Sequence, residues 1–448
     1  MIVIKRRLIF WLMKAYIKRW WKAIIVSFVA GLAIFFLLEI FLFRFLVQLV
    51  MSKQNTIGVV GAYTVDTIPV HILSQVGRGL TKVDEHGNIL PDIADSWSVR
   101  DGGKTYQVTL KKNEYFSDGT LLTAKTLPLM FSDVIIDRPS TYTVVFHLKE
   151  PYAPFLITLS KPLFRDNFVG IGNYRITHIQ FNGSFIENIT LSFRARTGTT
   201  ETFQFYPTED ALKIAFALGE VTVADGLTTP AFQNTVFTTF PNVIVTKTTD
   251  YTRLVTLFYN TQDSLLSSKQ VRDALSYAFP NTFPQGERSF GPFPPQSWDY
   301  DITTPHTQDI AHANLLLKAA GNPKIPTLVI TTEPQYEQIA KQIQSSWKIL
   351  GISSKIVMTY DIPSTFQMYL GDFTVPKDPD QYTLWHSFQS NNITRFNNPR
   401  IDKDLEDGRK TIDKNQRLLT YQDFQKYLED EQPATFLYFP YSYTITRR

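Results

Sequence analysis

The chain contains no cysteine in its 448 residues. It therefore has no disulfide, no thiol nucleophile and no thioether site for a lipid anchor, and packing must do the stabilising. Histidine is scarce, with 7 copies. His71, His86, His147, His178, His306, His312 and His386 are scattered without HxxxH or HxH spacing, so no helix-borne metal site is written in the sequence. There is no GxSxG elbow, no Walker loop and no GxGxxG fingerprint, which removes the commonest signatures of hydrolases and nucleotide binders. A repeat with a period of roughly 20 to 50 residues is also missing. Surplus charge is small: 45 Lys+Arg stand against 41 Asp+Glu. Seven of those basic residues lie before residue 23, so the remainder is close to neutral. A nucleic-acid partner, which would need a basic face for phosphates, is excluded on that ground.

What the chain does have is one long apolar run, residues 23–50. At about 1.5 Å per residue it reaches roughly 42 Å, enough for a hydrocarbon layer of about 30 Å. Lys5, Arg6, Arg7, Lys14, Lys18, Arg19 and Lys22 precede it with no acidic residue among them. The positive-inside rule then predicts a cytoplasmic basic leader over 1–22, a single transmembrane helix over 23–50, and a main domain on the outer face of the cell membrane. Glu39 and Arg44 fall toward the outer end, where tilt and snorkelling bring them to the headgroups. A cleaved signal peptide fits less well, because the run is too long and no small-x-small site follows it. Residues 51–56 form a short polar linker.

Beyond the linker the pattern changes once. Over 57–250 it is mainly short alternating strands and turns, as in TYQVTLKKNEYFSDGT. Helices then enter: 271–279 (VRDALSYAF), 309–320 stopped by Gly321, 335–350 stopped by Gly351, and 415–429. Strands at 327–332 and 354–359 flank the third of these, a βαβ-like unit. Two lobes follow, 57–250 and 251–432, with the boundary in one continuous strand near 251–260. The aromatic segment ATFLYFPYSY opens a last element, 433–448, which runs back toward the first lobe.

Three segments resemble the family 5 extracellular solute-binding proteins, the oligopeptide, dipeptide and nickel receptors of ABC importers. The first is GLTKVDEHGNILPDIADSWSVRDGGKTYQVTLKKNEYFSDGTLLTA (79–124), where Trp97 and the turns at Asp84 to Asn88 and Ser117 to Gly119 read as fold-bearing. The second is TLFYNT with VRDALSYAF and LLLKAAG, including the loop GPFPPQSWDYD in which Trp298 faces a cleft or anchors the loop. The third is GDFTVPKDPDQYTLWHS (371–387). By the resemblance, Asp372 of its Gly-Asp pair would take a ligand's α-ammonium. Three residues more than in the dipeptide-type pattern separate Asp372 from the Asp-Pro-Asp turn, so Asp378 and Asp380 stand as alternatives. Trp385 and His386 complete the expected ligand-binding set.

The resemblance implies an α/β, two-lobed periplasmic-binding-protein-like (venus flytrap) fold with mixed sheets, preceded by the transmembrane helix. It implies capture without catalysis or cofactor: a peptide or other small solute is held between the lobes and passed to permease subunits of an ABC transporter. Relatives usually continue past the return strand, so stopping at Arg448 implies that lobe one lacks a final strand or tail. Two rivals remain. One is a degenerate receptor serving as a sensor or interaction domain. The other is a cell-surface glycosidase, for which Asp378 and Asp380 would supply the paired carboxyls.

Overall fold

The computed structural model describes residues 6–51, 54–195, 198–301 and 306–448. Residues 1–5 of the expected basic leader, and residues 52 and 53 of the linker, lie outside them. Arg6–Met51 is a helix of 46 residues, and every side chain described on it from Phe10 to Glu39 is exposed. Among the described residues no single helix is long and apolar enough to cross a membrane. The stretches Phe10–Ala23 and Ile25–Phe36, bent by 57°, reach the required length and hydropathy only together.

The rest is organised around a 12-stranded mixed sheet. Its path runs Ser354–Met358, Leu328–Thr332, Met368–Thr374, Arg253–Tyr259, Ala434–Arg447, Val223–Leu227, Gln54–Val60, Thr200–Tyr206, Phe185–Phe193 and Tyr174–Asn182. The strand Ala434–Arg447 joins the two parts. Its first residues pair with Arg253–Tyr259, in the register Phe258 to Ala434 and Val255 to Tyr438. Its last residues pair with Val243–Thr249, from Tyr441 to Arg447, and with Val223–Leu227. At its middle the short strand Gly286–Arg288 is added. A Cβ on Gly286 would sit 2.1 Å from Tyr438 Cδ2 and 2.3 Å from the Phe439 carbonyl oxygen. Only glycine lets that strand approach.

The central strands form because their residues are largely β-branched or aromatic and buried on both faces, whereas the outer strands Ser354–Met358 and Tyr174–Asn182 leave many side chains exposed. In Arg253–Tyr259 every residue after Arg253 is buried. Val255, Leu257 and Tyr259 enter one core with Ile330, Leu370, Ile343 and Trp347. Leu254 and Phe258 enter another with Phe373, Trp385, Tyr421 and Phe436. The period of two thus divides the second lobe into two layers about one sheet. In the first lobe a separate four-stranded antiparallel sheet is built from Ala94–Arg100, Thr105–Leu110, Thr143–Leu148 and Val134–Ser140. It buries Tyr106, Val108, Leu110 and Phe146, with Trp97 packed against them.

The expected helices are present at Lys269–Tyr277, Ile310–Ala319, Glu337–Ile349 and Lys414–Glu431. Asp309 and Asp413 cap two of them by accepting from the backbone N–H of His312 and Gln416, which satisfies donors that a helix start leaves free. Leu328–Thr332 and Ser354–Met358 pair in parallel across the third. Three helices, Val70–Val76, the four-residue Phe155–Thr158 and Glu209–Leu218, stand in the part that reads as strands.

Candidate functional site

In open sheets with parallel strands, ligands gather at the carboxyl ends of those strands. Here that edge belongs to Leu328–Thr332, Ser354–Met358 and Met368–Thr374, the last separated from the strand that crosses between the lobes only by Arg253–Tyr259. Asp372 lies near the end of the third. The antiparallel neighbour begins at Arg253, opposite Thr374, while Asp372 is opposite Val255. Residues two positions apart in register share a face, and a long side chain spans the diagonal. Arg253 Nε accordingly donates to Asp372 Oδ2, and Arg253 Nη2 donates to Tyr336 Oη at 3.2 Å. Behind them Tyr369 Oη donates to Glu333 Oε1 at 2.8 Å.

Charge and burial work against each other at this edge. Burial disfavours the Arg253 cation, but the Asp372 carboxylate and the Tyr336 hydroxyl outweigh it and hold the arginine above its usual pKa. Tyr336 and Tyr438 are pushed up, first by burial; next come Asp372 for Tyr336, and Tyr336 for Tyr438. Both phenols are therefore neutral donors at physiological pH. A Cβ on Gly371 would lie 2.5 Å from Tyr369 Cε1, so the glycine is what lets the Tyr369 ring settle beside the strand.

Asp378, Asp380 and Trp298 form a second group. Arg417 Nη2 and Nη1 donate to the two oxygens of Asp378 at 2.7 and 3.1 Å, a bidentate pair in which both side chains are more than nine-tenths buried. Asp380 pairs with Arg409 at 2.9 Å. Burial raises the Asp380 pKa, with Arg409 opposing and Asp378 adding to the rise. The Trp298 ring has the Lys414 ammonium 5.3 Å and the Arg417 guanidinium 5.6 Å from its centroid. It also meets the first lobe. Gly87, at φ +79°, would place a Cβ 3.0 Å from Trp298 Cδ1, so both its conformation and its neighbour require glycine.

Around Trp298 the two lobes touch directly. Lys414 Nζ donates to Asn88 Oδ1 at 2.7 Å, His86 Nδ1 lies 3.1 Å from the Gln296 carbonyl oxygen, and Ala153 N–H donates to the Arg409 carbonyl at 2.7 Å. A cavity of about 430 Å³ also lies between them, walled by Phe131, Leu148, Tyr152 and Phe155 from one side and by Arg409 and Lys410 from the other.

Trp385 and His386 sit elsewhere. Trp385 is 2% exposed in the second-lobe core, with its Nε1–H donated to Gln381 Oε1 at 2.7 Å. His386 is 4% exposed, 3.3 Å from Glu406 Oε1, with its ring tilted 31° against that of Tyr382. The structure thus brings Asp378, Asp380 and Trp298 together, sets Asp372 on a different edge, and encloses Trp385 and His386 in the wall. Arg253, Tyr336, Arg409 and Arg417 are absent from the sequence expectation. A lone arginine heading the apolar run RLVTLFY was the one available signal. Among the described residues no group of three or more His, Asp or Glu gathers as metal ligands would.

Comparison with known proteins bears on the whole arrangement. The sequence pattern described as bacterial extracellular solute-binding proteins, family 5 Middle, matches residues 127–395. The chain is 24% identical over 407 residues to the probable D,D-dipeptide-binding periplasmic protein DdpA of Escherichia coli (strain K12), covering 78% of each. It is 24% identical over 457 residues to the oligopeptide-binding protein AppA of Bacillus subtilis (strain 168), covering 84% of this chain and 83% of that one. Among solved structures, the substrate-binding protein CtaP of Listeria monocytogenes superposes with a TM-score of 0.75 at 20% identity, over 88% of this chain and 94% of its own. The Bacillus subtilis AppA complex with a nonapeptide gives 0.67 at 20% identity, with the same coverage. The fold is therefore the two-lobed α/β periplasmic-binding-protein-like one with mixed sheets.

Proposed function

Because the chain belongs to the family 5 bacterial extracellular solute-binding proteins, we propose that it captures peptides between its two lobes and delivers them to the permease of an ABC importer. One observation carries the reading most directly. The strand Ala434–Arg447 is shared by both parts of the sheet, and the Arg253–Asp372–Tyr336 edge lies beside its first half, where a solute would touch both lobes. Relatives whose names state oligopeptide and D,D-dipeptide binding support the choice of solute class.

We divide the body into lobe one (57–250), lobe two (251–432) and the return strand (433–448). The lobes close by rotation about the crossing strands, and a solute shifts that equilibrium only by its extra affinity for the closed form. Edge backbone groups add affinity in the manner of strand addition. Asp372 faces the solute. Trp298, Asp378 and Asp380 form the second wall, and Trp385 with His386 supports it from within. With tetra-alanine as probe, calorimetric titration tests this. Asp372→Ala weakens binding by about 10- to 100-fold, the value of one charge-assisted contact of about 1.5 to 3 kcal/mol between the solute and the Arg253–Asp372 pair, to which both members contribute. Asp118→Ala, on a lobe-one turn, leaves it alone. Equal affinity of wild type and Asp372→Ala would remove Asp372 from the site.

Residues 23–50 are proposed to anchor the protein, with the N-terminus in the cytoplasm. The basic residues before the run and its apolar content support this. Protease added to spheroplasts then releases the main domain, and a mature chain lacking the first residues would refute the anchor.

A specific observation favours the sensor reading as the alternative: Asp372, Asp378 and Asp380 each already pair with an arginine. Mass spectrometry of small molecules released on denaturing the purified protein separates the two. Peptide cargo supports capture, and its consistent absence supports a sensor.

A further inference from the structure

The carboxylate placed to receive a solute's ammonium is already occupied. Arg253 donates Nε to Asp372 and Nη2 to Tyr336. Its side chain is nonetheless 45% exposed, against 22% for Asp372, so the arginine is the more solvent-accessible member of the pair. An ammonium approaching Asp372 meets a like charge at contact distance, and the attraction of one member of the pair is offset by the other. Glu333, the next carboxylate, lies one residue past Leu328–Thr332 and already accepts the Tyr369 hydroxyl. An arginine has five N–H donors in a planar fork. Asp372 and Tyr336 take one each, and the fork that remains matches a carboxylate's two oxygens.

We propose that Arg253 inverts the polarity of this end of the cleft: it binds a carboxylate of the solute, and a free amino terminus goes unrecognised there. The inference rests on the peptide-capture reading. It names the preferred cargo as peptides that carry a free carboxylate and tolerate a blocked amino end. Asp372 and Tyr336 act by orienting the guanidinium.

The test uses the full chain in detergent and three probes, tetra-alanine, its N-acetyl form and its C-terminal amide, titrated by calorimetry. N-acetylation changes the affinity less than 2-fold, and amidation weakens it at least 10-fold. Arg253→Gln, which frees Asp372, reverses the order. Arg253→Lys keeps the carboxylate preference at reduced affinity and guards against a glutamine variant that fails to fold. Loss of binding on N-acetylation with amidation neutral overturns the inference and leaves peptide capture standing. If none of the three probes binds the wild type, peptide capture fails and the inference falls with it.

Discussion

Asp299 offers the sharpest physical test of the second lobe. It is fully buried in the loop that carries Trp298. The Ser297 hydroxyl donates to its Oδ1, and Oδ2 has no partner. Burial pushes its pKa up to about 7, the neighbouring Asp378 adding to the rise while Ser297 and Arg417 oppose it. Arg417 helps little because its fork is already spent on Asp378. In the unfolded chain Asp299 titrates near 3.8, so the folded state holds a proton that the unfolded state has lost. Stability therefore falls as pH rises from about 4 to about 7 and then levels off. A shift of about 3 units at about 1.36 kcal/mol each sets the full penalty near 4 kcal/mol. Asp299→Asn keeps the shape and removes the titration. The stability difference between variant and wild type should grow in the variant's favour by about 3 to 4 kcal/mol from pH 4 to pH 8. Urea unfolding at four pH values, followed by tryptophan fluorescence, measures it. Asp273 and Asp404, raised by burial to about 7 and about 6, titrate in the same window, so only the difference between the two proteins isolates Asp299. A difference that moves by less than about 1 kcal/mol over that range would mean that Asp299 is ionised in the fold, and the argument from burial would be wrong.

Two further outcomes follow from the same packing. Arg417→Met leaves the Asp378 carboxylate buried without its counter-ion, and should cost about 3 to 5 kcal/mol; adding Asp378→Leu should recover much of that, and a double-mutant cycle by urea unfolding checks it. Gly371→Ala drives a methyl into the Tyr369 ring and should cost about 1 to 3 kcal/mol, read as a lower unfolding midpoint, whereas an unchanged midpoint would show that Tyr369 can move aside freely.

The legible parts of this fold were those with a local cause. Apolar spacing, an Asp cap and a following glycine place the helix Ile310–Ala319, whose stop Gly321 adopts φ +84°. Val70–Val76 is only 7 residues long behind Pro69, too short for a period of 3.6 to register against one of two. Glu209–Leu218 did carry a signal, the Thr208 cap that accepts from Ala211 N–H, but it was submerged in strand-rich surroundings. The site was legible only as a segment. Asp372 meets Arg253 across 119 positions and Asp378 meets Arg417 across 39, and both meetings depend on register and packing that no local pattern encodes. Residue type could suggest a carboxylate for a ligand. It could not say that an arginine would arrive first.

That arrival also bears on the proposed closure of the lobes. The contacts at Trp298 and Arg409 join the lobes through single hydrogen bonds, Lys414 to Asn88 and Ala153 to the Arg409 carbonyl; the neutral backbone bond is worth about 0.5 to 1.5 kcal/mol net, and the exposed lysine bond is weakened by solvent. Such contacts make touching lobes favourable without making them irreversible. A solute then needs only a modest differential affinity to shift the population, and an Arg253 fork that gains a second carboxylate on closing can supply it. Because Arg253 opens the very strand that pairs with Ala434–Arg447, the group proposed to sense the solute and the backbone proposed to bend are neighbours in the same sheet. On that proposal, recognition and closure are coupled through the register.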